Sequence, residues 1–282
     1  MEFRREEILP GVFLTALRTD KFKTASLSLS LLTQLDAETA SMNALIPNVL
    51  RRGTVTYPDL GALSAQLDRL YGASVEYTIR KKGENQCVGF VASFIDDSFA
   101  PEGEKLLEPS AELVGELICD PVTERGRFVS AYFESEKTNL IDAIRSQIND
   151  KRDYASARLL QEMCAGEPYG VGRLGDEKSA EKLQMKKLYA QYGELISTAR
   201  LELIDLDRVR QALASAFATL PRDGIRDIAA AAPHPARSEV RTVTEEMDVT
   251  QGKLGMGFAC GSTDHSALLL GNTLFGGSSN SK

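Results

Sequence analysis

The sequence predicts an α+β domain: a mixed or antiparallel sheet with helices packed on one face. Three observations lead there. Ser26 to Leu31 reads Ser-Leu-Ser-Leu-Ser-Leu, the period-two pattern of a half-buried strand. Ala40, Ala44, Leu45 and Val49 recur at helical spacing between Ala37 and Leu50. Val75 to Arg80 and Cys87 to Ile95 flank Lys81-Lys82-Gly83-Glu84-Asn85, a hairpin signature. Paired strands set among helices place the chain in the α+β class.

In chain order, Val12 to Leu17 reads as a short strand, with the serine–leucine strand antiparallel to it. The helix over Ala37 to Leu50 contains Pro47, which removes an i→i−4 bond and crowds the carbonyl four residues back. A kink, or a break just before it, is expected there. Pro58 to Leu70 carries Leu60, Leu63, Leu67 and Leu70 on one face, and Gly72-Ala73 ends it. After the hairpin come helices over Glu104 to Cys119, closed by Asp120-Pro121, and Phe128 to Asn149, the longest pattern. Shorter helices follow at Ala155 to Cys164 and Met185 to Ile196, then a strand at Leu201 to Ile204 and an amphipathic helix at Leu206 to Thr219.

Composition then shifts. Asp223 to Arg237 is rich in alanine and proline without periodicity, so it reads as a linker. The expected organisation is a first α+β domain over 1–221, a linker over 222–238, and the start of a second, truncated α+β domain over 239–282. In the last stretch, Val240 to Met247 and Lys253 to Ala259 read as strands and Ser266 to Leu274 as a helix. So few residues cannot bury a full core alone. No internal repeat is evident.

Charge and composition exclude several functions. With 33 basic against 40 acidic residues the net charge is −7, which argues against a long nucleic-acid groove. No apolar run approaches the ~20 residues a membrane span requires, and no apolar run follows Met1-Glu2-Phe3-Arg4-Arg5 as a secretory signal would. Cys87, Cys119, Cys164 and Cys260 are widely spaced, as in free thiols of a reducing cytoplasm. Only His234 and His265 exist, so a helical site with two histidines four apart is impossible. No Gly-x-Ser-x-Gly elbow supports a serine hydrolase. Gly276-Gly277-Ser278-Ser279 lacks the Lys-Ser/Thr of a phosphate loop and reads as a turn.

One resemblance orders these pieces. Leu50-Arg51-Arg52-Gly53-Thr54 ends the first helix after a strand pair, Leu67 to Thr78 continues as helix, Gly72 and edge strand, and Cys119-Asp120-Pro121 closes a later helix. Glu136 to Ala143 then spells Glu-Lys-Thr-Asn-Leu-Ile-Asp-Ala, and Gln251 to Phe258 reads Gln-Gly-Lys-Leu-Gly-Met-Gly-Phe. In this order the motifs resemble the pitrilysin/insulinase-type, inverted-zincin metallopeptidases, in a non-catalytic bacterial subtype and as an N-terminal fragment. The resemblance implies the LuxS/mitochondrial-processing-peptidase-like metallohydrolase fold. Active members place His-x-x-Glu-His on the first helix, with two zinc ligands one turn apart and a glutamate as general base. Counted back from Thr54, those positions hold Ala44, Pro47 and Asn48, and the third ligand position holds Ala143. The resemblance therefore implies a degenerate motif, no catalytic residues, no metal and no cofactor, although zinc is usual in the family.

It also implies a role: a catalytically inactive subunit that helps form a peptide-binding chamber with an active zinc-peptidase relative as heterodimer. Peptide or unfolded polypeptide would add along the edge strand at Ser74, Val75, Glu76, Tyr77 and Thr78. A structural scaffold without substrate contact is the alternative, and an active zinc-dependent endopeptidase, disfavoured by the histidine count, is the third. Arg51 and Arg52 read either as a grip for an acidic peptide or as a solvated helix end. Glu134, Glu136 and Asp142 read as a solvated acidic face, with a weak metal site as the alternative.

Overall fold

The computed structural model describes residues 2–18, 21–205, 210–229, 239–259 and 264–275. Its centre is a six-stranded mixed sheet. The strands are β1 (Glu2–Leu9), β2 (Val12–Arg18), β3 (Thr24–Gln34), β4 (Ser74–Lys82), β5 (Asn85–Ile95) and β8 (Arg200–Asp205), in the order β1-β2-β8-β3-β5-β4. A two-stranded ribbon, β6 (Thr123–Glu124) with β7 (Arg127–Phe128), stands apart. The helices are α1 (Ala40–Leu50), α2 (Leu60–Arg69), α3 (Leu107–Cys119), α4 (Ser130–Ser146), α5 (Lys151–Met163), α6 (Glu177–Glu181), α7 (Met185–Thr198), α8 (Arg210–Ala216) and α9 (His265–Phe275).

The alternation in β3 does what its period requires. Ala25, Leu27, Leu29 and Leu31 face a continuous core, while Ser26, Ser28 and Ser30 face the other side. β5 adds Val88, Phe90, Ala92 and Phe94 to the same face, and α1, α3 and α7 close over it. At about 25 cal/mol per Å², each fully buried leucine or phenylalanine contributes roughly 1.5–3 kcal/mol. Burial of this face, rather than local propensity, dominates.

Three expectations are corrected. β3 runs antiparallel to β2 as expected, but the two do not pair, because β8 lies between them, parallel to β2 and antiparallel to β3. An apolar strand, Leu201 and Leu203 among its buried residues, gains two ladders in that slot instead of one. The break before Pro47 does not occur: α1 runs to Leu50, and the Arg51 amide donates to the Pro47 carbonyl at 3.1 Å. Burial of nearly every residue of α1 outweighs the ~3 kcal/mol a helical proline costs. Third, residues 240–247 and 253–259 form no strand. A strand needs a ladder partner, and among the described residues none meets them; Val240 and Leu254 are almost fully exposed.

Elsewhere the reading and the structure differ mainly at element ends. The expected linker begins as an ordered strap. Arg222 donates to the carbonyls of Pro10, Gly11, Ile196 and Ala199, and the Arg226 amide donates to Thr198. Residues 230–238 (with His234), 206–209, Cys260 and 276–282 lie outside the described residues.

Candidate functional site

The α1 positions expected to carry the degenerate motif sit between the sheet and α4. Ala44 is fully buried, and Pro47 and Asn48 are buried beside it. Four residues apart is one helical turn, so Ala44 and Asn48 share a face. The Asn48 side chain uses that proximity locally: its Nδ2 donates to the Ala44 carbonyl at 2.8 Å. Ala143 is not gathered in with them; it lies on the exposed side of α4, as does Asp142.

Glu136, in the stretch that resembles the family's second motif, is buried and engaged on both oxygens. Arg52 Nη1 donates to its Oε1 at 2.9 Å and Asn139 Nδ2 to its Oε2 at 3.0 Å. The Arg52 guanidinium also lies 4.9 Å from the centroid of the Tyr132 ring. So the acidic face divides: Glu134 and Asp142 are solvated, whereas Glu136 is an internal ion-pair partner.

These groups do not fit a zinc ion. Zinc wants three or four imidazole, thiolate or carboxylate donors at roughly 2.0–2.3 Å. Here two positions offer only methyl groups, a third is an amide held by its own helix, and the one carboxylate is occupied by a cation. Among the described residues no three His, Cys, Asp or Glu side chains come together. Chain loaded with excess zinc and then desalted is expected to retain well under 0.1 zinc per chain, read by atomic emission (on the order of what micromolar or weaker binding leaves). One retained zinc per chain would overturn this reading of the motif.

The second part of the site is β4, the edge of the sheet. A two-residue turn, Gly83-Glu84, closes the hairpin at Lys82↔Asn85. Antiparallel pairs alternate, so the backbone groups of Val75, Tyr77 and Ile79 point outward, away from β5. The edge is partly guarded. Arg51 Nε donates to the Val75 carbonyl at 2.8 Å, and its Nη2 pairs with Glu76 at 3.2 Å. Arg173 Nη1 donates to the Ile79 carbonyl at 3.1 Å. Lys81 closes the far end, donating to the carbonyls of Tyr169 and Val171 and lying 4.2 Å from the Tyr169 ring centroid. Burial pushes the Lys81 ammonium below its ordinary range, with a smaller opposing contribution from Cys164. Tyr77 between the two arginines is exposed, as are Ser74 and Glu76, while Val75 points into the core and Thr78 is half-buried. The expectation of a solvated helix end is corrected: Arg51 reaches the edge strand and Arg52 the buried glutamate, because α1 delivers its C-terminus between them.

Sequence reasoning missed a buried polar cluster under this site. Gln86 is fully buried at the start of β5. Its Oε1 accepts from Asn43 Nδ2 at 3.1 Å, and its Nε2 donates to the Ala40 and Arg173 carbonyls at 2.9 and 2.7 Å. Gln191 Nε2 donates to Asn43 Oδ1 at 2.8 Å. The cluster joins α1, β5, α7 and the segment that carries Arg173. One signal was available: a glutamine directly ahead of the apolar run from Cys87.

Comparisons with known proteins fit this picture. No protein-family model matches the chain. A probable inactive metalloprotease of Bacillus subtilis (strain 168), YmfF, is 33% identical over 282 residues, spanning 96% of this chain and 66% of that protein. A conserved protein from Enterococcus faecalis V583 superposes with a TM-score of 0.75 at 24% identity, over 84% of this chain and 57% of that one. A peptidase M16 inactive domain from Pseudomonas fluorescens gives 0.61 at 16%, over 84% and 54%. At those identities the two structures speak for the fold alone. The chain thus spans about two thirds of its curated relative and little more than half of the solved ones. With 33% identity to that inactive metalloprotease and a fold shared with the inactive peptidase domain, it belongs to the pitrilysin/insulinase-type (M16) metallopeptidase family as a non-catalytic member.

Proposed function

We propose that the chain acts as a silent half of a peptide-enclosing chamber whose active half is a zinc-bearing relative, in a heterodimer in the cytoplasm. One observation supports the reading: at the positions read as the degenerate motif on α1, Ala44 is packed in the core and Asn48 is bonded to its own helix, while Ala143 lies exposed on α4. Selection for catalysis would not retain Asn48 turned onto its own helix. In this reading β4 receives extended polypeptide between Ser74 and Thr78, through backbone groups that tolerate many sequences.

A second reading, a scaffold that never touches substrate, draws support from the arginines that cover the Val75 and Ile79 carbonyls, since guarded edges avoid strand pairing. A mixture of this chain with its zinc-bearing relative separates the two. Under the first reading the mixture cleaves an unfolded polypeptide at least about tenfold faster than the relative alone, a transition-state difference of ~1.4 kcal/mol. Tyr77→Pro, which removes an outward donor that β5 does not use, cancels the gain. If the relative cleaves equally well alone, the first reading fails. If the gain survives in Tyr77→Pro, β4 is not where substrate lies.

A further inference from the structure

We infer that the open part of β4 is built to receive the C-terminal end of a peptide, with Arg51 binding the terminal carboxylate; this rests on the reading of β4 as a peptide-receiving edge. A strand adding antiparallel to β4 meets its outward groups in a fixed order. Opposite Tyr77 one peptide residue exchanges both backbone hydrogen bonds, because neither group of Tyr77 has a partner among the described residues. Moving toward Val75, the chain approaches the peptide's C-terminal side. The next peptide group to face β4 there would be an N–H aimed at the Val75 carbonyl, and Arg51 Nε already occupies that acceptor at 2.8 Å.

Arg51 thereby reverses the polarity of that place in the ladder. Where an ordinary edge shows an acceptor, this one shows a guanidinium. A continuing peptide loses its bond and meets the arginine. A peptide that ends one residue earlier places its carboxylate there instead, against the remaining N–H groups of a side chain only about one-third exposed. The competing anion, Glu76, is 65% exposed and holds Arg51 only through one contact at 3.2 Å, so exchanging it costs little. The other end limits the length: Arg173 covers the Ile79 carbonyl and Lys81 is tied to the carbonyls of Tyr169 and Val171. The site therefore takes the last few residues of an extended chain, such as the product or substrate end of a cut polypeptide.

The test is fluorescence anisotropy with the full chain and three fluorescein-labelled hexapeptides of one apolar, β-branched sequence. One has a free C-terminal carboxylate, one a C-terminal amide, and one an amide preceded by glutamate. The free acid is expected to bind about tenfold more tightly than the plain amide, as a charge-assisted pair at a partly exposed site supplies. Arg51→Gln removes that preference, so that acid and amide bind alike, with thermal melts confirming the fold. Equal binding of acid and amide overturns the carboxylate site but leaves edge addition standing. Glutamate amide equal to the free acid also overturns it, by showing that any carboxylate suffices. Binding of none of the three overturns edge addition and the carboxylate site together.

Discussion

Gln86→Leu is expected to lower the unfolding free energy by about 3 kcal/mol, read by urea denaturation with the slope unchanged. Leucine nearly matches glutamine in volume, so the loss is not a cavity. It is the stranding of polar groups: the buried Asn43 Nδ2 loses its 3.1 Å acceptor and keeps only a 3.5 Å contact to Thr39 Oγ1, and the partly buried Arg173 carbonyl loses its 2.7 Å donor. Each buried orphan costs roughly 1–3 kcal/mol. The Ala40 carbonyl suffers less, since the α1 ladder supplies it with an amide. Because the same glutamine anchors the segment bearing Arg173, the guard on the Ile79 carbonyl should loosen too. A loss under 1 kcal/mol would mean the cluster is hydrated rather than sealed.

Gly89→Ala is expected to be at least as damaging, with a loss of roughly 3 kcal/mol or more, or recovery of aggregated chain. Gly89 lies within β5, paired with Ser30 on one side and Thr78 on the other. A methyl group there would stand 2.1 Å from the Leu29 carbonyl oxygen and 3.0 Å from its carbon. Those are backbone atoms of a central strand, and no rotamer moves them. Glycine in a strand marks just such a close approach. An alanine variant with wild-type denaturation midpoint would show that β3 can shift at no cost.

Neither effect is visible in the sequence, and the reason is the same. Periodicity reports which side of an element is dry, so β3, β4, β5, α1 and α7 were legible from their own residues. It does not report which distant element fills the space. Gln86 looks like any polar residue at a strand start until Asn43 arrives from 43 positions away. β1 was missed because Glu2 to Leu9 is mostly charged and pairs on one side only, so it lacks an apolar stripe. The expected strands after Val240 show the converse: alternation is present, but a ladder needs a partner. The register of the expected motif rests on glycine and threonine at 53 and 54 alone, whereas the roles of Arg51 and Arg52 depended on where the C-terminus of α1 points.

The position of β8 has a consequence for how the chain is made. Everything from β1 to β5 leaves the ribosome before Arg200, yet β2 and β3 meet only through β8. Until residues 200–205 emerge, the hairpin β1-β2 and the three-stranded unit β3-β5-β4 each have an edge whose partner is not yet made. Such half-sheets attract other strands and chaperones alike. Closure of the sheet therefore waits on residues 200–205, so a chain halted in the helical stretch before Arg200 is expected to expose both edges at once.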